Sequence, residues 1–294
     1  MKPAPFEYVA PESIQETLSL LEQHGDLGKI LAGGQSLGPL LNMRLASPEV
    51  IIDINRLDEL SYLRQQGDHL EIGALTRQRT LEHSEIIPQR WPLLYEAAPH
   101  IGHPTLRNRG TICGSIAHAD PAAELPAVVT ALNAELRILG PEGERTARPD
   151  DFFESFMSTS LEPEELLTEV RFPPPQPRTG HAWFEIARRH GDFALVGVAA
   201  VLTLHEDGTC AAARLVYTGI ASVPFDAQEA AELLIGEHPT EESFATAAEQ
   251  AATLSEPSSD VHASAEYRRH LVRVLTRRAL EKALQRAEGN GDGT

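Results

Sequence analysis

The stretch KILAGGQSLGPLLNMRLASPEVIIDINRL, Lys29–Leu57, decides the fold of the N-terminal part of the chain. Its apolar start, Lys29–Ala32, predicts a strand that stops at Gly33-Gly34, and the next apolar segment predicts a short helix that ends near Leu45. Val50–Ile54 then predicts a second strand. These elements form a small β/α unit with two adjacent glycines between its first strand and its helix.

A glycine pair at this place lets the backbone take positive φ and lets another group approach it closely. The free amides at the start of the following helix point into the gap, where the helix dipole favours an anion. Because Gln35 and Ser36 add side-chain donors, Ala32–Leu37 is a candidate pyrophosphate cradle. A lone Gly-Gly pair is more often only a tight turn, so this segment by itself leaves both interpretations open.

A second segment of the same kind, Gly110–Ser115 (GTICGS), alternates small residues with hydroxyls and leads to a predicted helix start at Glu124. Neither segment has the G-x-G-x-x-G pattern of a Rossmann site or the G-x-x-x-x-G-K-[ST] pattern of a P-loop. Two cradles far apart in the chain suit a long ligand such as a dinucleotide. Arg44, Arg107 and Arg109 lie near them in sequence, although arginines there could equally be surface charges.

Composition excludes several classes of protein. Among 294 residues, 43 acids outnumber 25 bases to give a net charge of −18, whereas a nucleic-acid binder would be basic or carry a basic stripe. No apolar run approaches the roughly 20 residues of a membrane helix. Cys113 and Cys210, the only cysteines, cannot supply the four thiolates of a usual iron–sulfur cluster. We expect a soluble, cytoplasmic protein.

The rest of the sequence predicts a mixture of helices and strands. Phe172–Pro177 (FPPPQP) is typical of a stiff connector and predicts a domain boundary. The predicted elements are a helix capped by Ser13 and ended by Gly25, a strand in Asp68–Thr76, a mainly helical Ser84–Gly102, a helix and a strand within Asn108–Leu139, a hairpin of Phe193–Leu204 and Thr209–Gly219, and helices over 240–254 and 265–287. In the last helix an apolar stripe predicts core, namely Tyr267, Leu271, Val274, Leu275 and Ala279.

Five motifs occur in one order and spacing along nearly the whole chain. They are AGGQSL (Ala32–Leu37), IDINRL (Ile52–Leu57), IGALT (Ile72–Thr76), RNRGTICGSIAHADPAAELPAVVTAL (Arg107–Leu132) and RRHGDFALVGVAA (Arg188–Ala200). In this combination the chain resembles the FAD-binding medium subunit of the molybdenum hydroxylases. That family includes carbon monoxide dehydrogenase, xanthine dehydrogenase and the bacterial N-heterocycle dehydrogenases.

The resemblance implies an α+β fold in three parts. Residues 1–176 would form an FAD-binding region of the vanillyl-alcohol-oxidase type, with two α/β subdomains that divide near residues 56–60. Residues 177–287 would form a C-terminal domain of the CO-dehydrogenase flavoprotein type, with a three-stranded antiparallel sheet and helices. Residues 288–294 are predicted to be a disordered tail.

The resemblance also implies the cofactor contacts. By similarity, the pyrophosphate of FAD is held by the first segment and contacted again by the second, while further residues touch the flavin or its neighbourhood. The first set is Ala32, Gly33, Gly34, Gln35, Ser36 and Leu37, the second is Thr111, Gly114 and Ser115, and the remaining residues are Ile101, Glu124, Leu161 and Phe193. No His or Cys flavin-attachment motif is recognisable, so we expect noncovalent FAD. We assign no catalytic residue and no metal ligand.

Three positions depart from the family pattern. Cys113 replaces the first glycine of the usual TIGG or TVGG, so its main-chain geometry is open to change. Glu124 is longer than the usual aspartate, and Glu185 stands where several relatives carry a lysine near the flavin. The loop histidines have no metal-binding spacing, namely His100, His103 and His118.

The family implies an electron-transfer subunit of a heterotrimeric molybdenum hydroxylase, assembled as a dimer of heterotrimers. A large subunit would carry the molybdenum cofactor, and a small subunit would carry [2Fe–2S] clusters that reduce the FAD of this chain. Two alternatives stay open at this point. One is a self-sufficient FAD oxidoreductase on the same fold, and the other is a flavin-free scaffold with Cys113 as the damaging change.

Overall fold

The computed structural model describes residues 1–289. The chain begins with a three-stranded parallel sheet of β1 (Glu7–Val9), β2 (Gly28–Leu31) and β3 (Val50–Asp53), in the order β1-β3-β2. The helices α1 (Ile14–His24) and α2 (Leu37–Met43) connect these strands. Ser13 caps α1 by accepting a hydrogen bond from the Glu16 amide, and Gly25 ends it at positive φ, as predicted.

A five-stranded antiparallel sheet forms the second unit, in the order β4-β5-β10-β6-β7. Its strands are β4 (Leu63–Gln66), β5 (His69–Gly73), β6 (Glu135–Gly140), β7 (Gly143–Ala147) and β10 (Leu166–Phe172). The other elements of this unit are α3 (Gln78–His83), α4 (Ile87–Arg90), α5 (Pro92–Ala97), α6 (Pro104–Arg107), α7 (Ile112–His118), α8 (Glu124–Ala131), α9 (Pro149–Phe152) and a small ribbon of β8 (Phe153–Ser155) and β9 (Ser158–Thr159). Within residues 1–289, 3-10 turns also lie at Gly25–Leu27 in the first unit and at Asp58–Leu60 and Ala98–His100.

The C-terminal part contains an antiparallel sheet of β11 (Thr179–Ala187), β12 (Ala194–Leu204), β13 (Cys210–Thr218) and β14 (Phe225–Asp226). The expected three long strands are present, and the two-residue β14 makes the sheet four-stranded. The hairpin between β12 and β13 turns through Gly208, whose φ is +84°. The helices are α10 (Gln228–Glu232), α11 (Glu241–Leu254) and α12 (Ala265–Gly289). The domain boundary predicted at 172–177 lies between β10 and β11 and stays a prediction.

The buried side chains of residues 1–289 form two hydrophobic clusters. The first fills the two N-terminal units and includes Trp183, Ala199 and Val216 of the C-terminal sheet, and the second lies in the C-terminal part. The predicted stripe of α12 is largely core, since Leu271, Leu275 and Ala279 are buried. Tyr267 is an exception with 45% exposure, and the neighbouring Val272 is fully buried. The helix continues to Gly289, two residues into the segment predicted to be disordered, and residues 290–294 lie outside the described residues.

The two parts of the chain are joined by hydrogen bonds around the start of α8. The Thr218 hydroxyl is 2.8 Å from the carbonyl oxygens of both Pro121 and Ala123, and the Gly219 amide donates to Pro121 over 2.8 Å. These bonds hold Glu124, the first residue of α8, beside the C-terminal sheet. Within residues 1–289, no helix combines the length and the apolar character needed to cross a membrane.

Candidate functional site

The first glycine segment is an open loop between β2 and α2. Gly34 has a φ of +70°, a conformation that favours glycine, and a Cβ atom there would lie 3.0 Å from Leu31 Cδ1. Gln35 Nε2 donates to the Gly33 carbonyl oxygen over 2.8 Å, which fixes the loop from within. Among the described residues, nothing accepts a hydrogen bond from the Gly33, Gly34, Gln35 or Ser36 amides. These amides are available to an anionic ligand.

The second glycine segment is itself the start of a helix, α7, which begins before the helix start predicted at Glu124. Thr111 caps α7, and its hydroxyl accepts a hydrogen bond from the Gly114 amide over 3.1 Å. Ser115 lies in the first turn of α7, half-exposed. A Cβ atom on Gly114 would lie 2.5 Å from Thr111 Oγ1, so any larger residue at this position would make the Thr111 side chain shift. Cys113 is buried in the same turn, and its burial raises the pKa of the thiol.

The two segments are in direct contact. A Cβ atom on Gly33 would lie 2.5 Å from the Arg109 carbonyl oxygen and 2.7 Å from Gly110 Cα. On the other side, a Cβ atom on Gly114 would lie 3.9 Å from the Ala32 side chain. The fold therefore combines two distant stretches of sequence into one continuous cradle.

A polar network that sequence reasoning missed supports this cradle. Asn55 Nδ2 donates to the Ala32 carbonyl oxygen over 2.7 Å and to Asp53 Oδ1 over 2.6 Å. The Arg77 guanidinium donates to Asn55 Oδ1 and to the Arg109 carbonyl oxygen, both over 2.7 Å. Asn55 and Arg77 thus connect the two glycine segments. The available signal was their place, since Asn55 lies two residues after β3 in IDINRL and Arg77 directly follows IGALT.

Asp53 is ionised at the base of this network. Its partial burial raises the pKa, but hydrogen bonds from the Tyr8 hydroxyl and from Asn55 outweigh burial and bring the pKa below its ordinary value. Tyr8 donates to Asp53 Oδ2 over 2.6 Å, which ties β1 to the end of β3. The carboxylate holds Asn55 in the orientation that leaves its oxygen for Arg77.

Three residues predicted near the flavin lie on loops. Ile101 is half-buried, and Phe193 is 68% exposed on the loop between β11 and β12. These two loops touch, because a Cβ atom on Gly191 would lie 2.6 Å from the His103 ring and 3.2 Å from the Gly102 carbonyl carbon. Leu161 follows β9, which contacts α7, so it lies near the second glycine segment.

Two carboxyl groups are buried near the same loops. Glu124 is 6% exposed, and the Glu185 side chain is 2% exposed. Trp183 Nε1 donates to Glu185 Oε2 over 3.3 Å, and His100 Nδ1 lies 3.7 Å from the same oxygen. Burial raises the pKa of both carboxyls, and the charge of Glu185 raises that of Glu124 further. The pair therefore favours its protonated forms.

The loop histidines form no metal site in the part of the chain that the structure describes, where no group of three or more His, Cys, Asp or Glu could hold an ion. A cleft of about 740 Å³ lies beside the network. Arg77 is the member of the network that lines it, and none of the predicted cofactor contacts does. It is lined by Leu63, Arg77, Arg79, Thr80, His83, Ser84, Glu85, Ile86 and Asn108.

Comparison with known families decides what this cradle is. Residues 4–175 match the FAD binding domain in molybdopterin dehydrogenase, and residues 181–283 match the CO dehydrogenase flavoprotein C-terminal domain. The chain belongs to the FAD-binding medium subunits of the molybdenum hydroxylases. It is therefore an FAD-binding subunit of a molybdenum-dependent oxidoreductase.

Individual relatives agree with this assignment along the whole chain. The chain is 44% identical to the 6-hydroxypseudooxynicotine dehydrogenase complex subunit alpha of Paenarthrobacter nicotinovorans, over 98% of this chain and 97% of the relative. Carbon monoxide dehydrogenase from Hydrogenophaga pseudoflava superposes with a TM-score of 0.94 at 40% identity, over 97% of this chain and 99% of the other. Quinoline 2-oxidoreductase from Pseudomonas putida 86 gives a TM-score of 0.92 at 37% identity, over 98% and 99%.

The residues of the cradle fit FAD. The unbonded amides of the first glycine segment suit an anionic pyrophosphate, and the glycine positions leave the space that a Cβ atom would fill. Cys113 does not remove the fit, because its side chain is buried in the first hydrophobic cluster. The individual contacts given by similarity, from Ala32 to Phe193, stay predictions.

Proposed function

We propose that this chain is the electron-transfer subunit of a heterotrimeric molybdenum hydroxylase, and that it passes electrons from the [2Fe–2S] clusters of a partner subunit to an external acceptor. The assembly would be a cytoplasmic dimer of heterotrimers, in which a large subunit carries the molybdenum cofactor. Bound noncovalently, FAD supplies chemistry that can exchange electrons one or two at a time. The chain binds the cofactor, positions it and controls its surroundings.

One observation carries this role: the chain has an FAD cradle but lacks ligands for an iron–sulfur cluster. Its only cysteines are both buried, Cys113 in the first hydrophobic cluster and Cys210 in the second. Two separated thiols cannot hold a cluster of the usual four-cysteine kind. Electrons from such clusters must therefore come from another subunit.

The relatives support a division of labour between subunits. The names of three similar proteins refer to 6-hydroxypseudooxynicotine, carbon monoxide and quinoline, which are chemically unlike one another. Two of them nevertheless share this fold, with TM-scores of 0.94 and 0.92. A medium subunit that changes little while the substrate changes completely is expected if the substrate binds elsewhere.

The network behind the cradle has a defined task in this function. Asn55 and Arg77 hold the two glycine segments at a fixed separation before FAD binds. Preorganisation lowers the entropy that binding has to spend on ordering loops. It also keeps the cofactor in one place, which electron transfer between subunits needs.

In the deciding experiment the FAD-loaded chain is mixed anaerobically with candidate substrates, and bleaching of the flavin absorbance is measured. The candidates are an N-heterocycle, an aldehyde, a purine and carbon monoxide. The isolated chain should not bleach with any of them, but it should pass electrons from dithionite to a dye. Addition of co-expressed molybdenum and iron–sulfur subunits should make bleaching depend on substrate. Bleaching by the isolated chain would instead identify a self-sufficient FAD oxidoreductase.

The purified chain offers a direct test of noncovalent binding. Acid precipitation should release the yellow chromophore into the supernatant. Flavin that stays in the pellet would contradict noncovalent attachment. A colourless chain that does not take up added FAD would point to the flavin-free scaffold.

A further inference from the structure

Arg107 is a buried arginine in the last position of α6, with 4% exposure. Its Nε donates to Glu82 Oε1 over 2.6 Å and its Nη2 donates to Glu82 Oε2 over 3.0 Å, a two-pronged pairing. These hydrogen bonds hold the pKa of Glu82 below its usual range, so both partners are charged. Burial of a charged pair is costly unless its geometry is good, and here the pairing is nearly ideal.

The other terminal nitrogen of Arg107 donates hydrogen bonds to the backbone of a neighbouring loop. Nη1 donates to the carbonyl oxygens of Gly102 over 2.9 Å, Ile101 over 3.1 Å and Pro99 over 3.3 Å. Three carbonyls of one short segment thus converge on a single donor group. Only a planar guanidinium can pair with a carboxylate along one edge and donate hydrogen bonds to the carbonyl oxygens of this loop along the other.

The same loop supports a second one from the C-terminal part. Gly191 has a φ of +86°, and a Cβ atom there would collide with His103 at 2.6 Å. Phe193 lies two residues further on the Gly191 loop, as Ile101 lies two residues before His103. The position of residues 99–103 therefore determines the position of the loop that carries Phe193.

We propose that Arg107, oriented by Glu82, is a positioning residue for the flavin. It fixes the Ile101 loop and, through the contact of His103 with Gly191, the Phe193 loop, so that both border FAD in one arrangement. This role rests on the proposed function, because it takes FAD as the ligand between these loops. Arg107 itself acts through backbone carbonyls and not on the cofactor.

The main test compares Arg107→Lys with Arg79→Met. Arg79 is an exposed arginine whose hydrogen bond within residues 1–289 is to Asn108. For each FAD-loaded chain, the Kd for FAD, the visible circular dichroism of the flavin and its reduction potential are measured. Arg107→Lys keeps the positive charge but loses the planar group that bonds Glu82 and the loop carbonyls together. We therefore expect a Kd for FAD at least tenfold higher, an altered visible circular dichroism of the flavin and a shifted reduction potential. Arg79→Met should match the wild type in all three.

A second pair tests the relay without disturbing the buried ion pair. Gly191→Ala and Gly208→Ala both place alanine at positive φ, but only the first meets a neighbour closer than 3.8 Å. We expect Gly191→Ala to alter the flavin spectrum and weaken FAD binding, and Gly208→Ala to leave both unchanged. If Arg107→Lys does not fold, the comparison of Gly191→Ala with Gly208→Ala alone tests the positioning role.

An unchanged Kd, spectrum and potential in folded Arg107→Lys, or an unchanged flavin in Gly191→Ala, overturns the positioning role. The outcome is distinct from failure of the proposed function. That failure would appear in the wild-type chain, as absence of FAD binding or of reduction by the iron–sulfur subunit. A wild-type chain that does both, alongside a variant that matches it, refutes only the role of Arg107.

Discussion

Gly33 packs against the backbone of Arg109 so closely that a Cβ atom on the glycine would lie 2.5 Å from the arginine carbonyl oxygen. Real Cβ atoms do not approach an oxygen so closely, and the backbone of Arg109 is itself held by Arg77. Glycine at position 33 is therefore required by the contact between the two halves of the cradle, while glycine at position 34 is favoured by its positive φ.

Gly33→Ala should separate the two segments and lower the affinity for FAD at least tenfold, or about 1.4 kcal/mol. The matched control is Gly38→Ala, since a Cβ atom there has open space and glycine is not needed in α2. Each variant is titrated with FAD, and the flavin fluorescence gives its affinity. Far-ultraviolet circular dichroism monitors the fold. Equal affinities in the two variants would mean that this contact does not shape the cofactor site.

Local pattern was enough to predict the first half of the cradle. The strand, the glycine pair and the helix follow one another directly, so Gly28–Leu31 and Leu37–Met43 lie close to their predicted positions. The hairpin around Gly208 was predictable for the same reason. Each of these features depends on residues that are neighbours in sequence.

Features that depend on distant residues could not be predicted in this way. The helix α7 contains a glycine and two β-branched residues, whose helix propensity is low. Its stability comes from the Thr111 cap and from burial of Ile112 and Ile116. The link from Asn55 through Arg77 to Arg109 joins three separate elements, and no spacing in the sequence reveals it.

Asn55→Ala should weaken FAD binding while the chain stays folded. The substitution removes the donor to the Ala32 carbonyl and the acceptor of Arg77 Nη2, while Arg77 Nη1 keeps its bond to the Arg109 carbonyl. Loss of a partner costs about 1–3 kcal/mol of stability for a buried group. We expect a fall in the FAD-free unfolding free energy within that range and roughly tenfold weaker FAD binding, or about 1.4 kcal/mol. Asn42→Ala, at an exposed position of α2, is the control for loss of an asparagine. The network has no role in binding if both variants titrate alike.

Cys113→Gly should keep the wild-type affinity for FAD or tighten it slightly, because the family usually has glycine at this position. The cost should appear in stability, since glycine within α7 is about 1 kcal/mol less favourable than alanine. Urea unfolding of Cys113→Gly and Cys113→Ala separates the helix cost from loss of the thiol. A tenfold loss of FAD affinity in both variants would indicate that the thiol makes a contact with the cofactor.

The buried carboxyls Glu124 and Glu185 should make the FAD-free chain less stable as the pH rises. Burial raises the pKa of both in the folded state above the ordinary carboxyl value of about 4.3. The folded chain therefore holds protons that the unfolded chain has released, and stability falls with pH until the folded-state pKa values are passed. His181 acts in the opposite sense, because burial lowers its pKa to about 4 and stability is lost as the pH falls below about 6.5.

Burial also lowers the pKa of His100, which lies against Glu185. Measurement between pH 6.5 and pH 8 keeps the contributions of both histidines small, and Glu185→Gln is the informative variant. Glutamine keeps the oxygen that accepts from Trp183 but cannot ionise, and it removes the charge that raises the pKa of Glu124. The fall in unfolding free energy over this interval, measured by urea titration at each pH, should be clearly smaller in Glu185→Gln than in the wild type. Glu206→Gln, in the exposed hairpin turn, should leave the wild-type fall unchanged. A fall of the same size in all three chains would show that the buried pair is already ionised at pH 6.5.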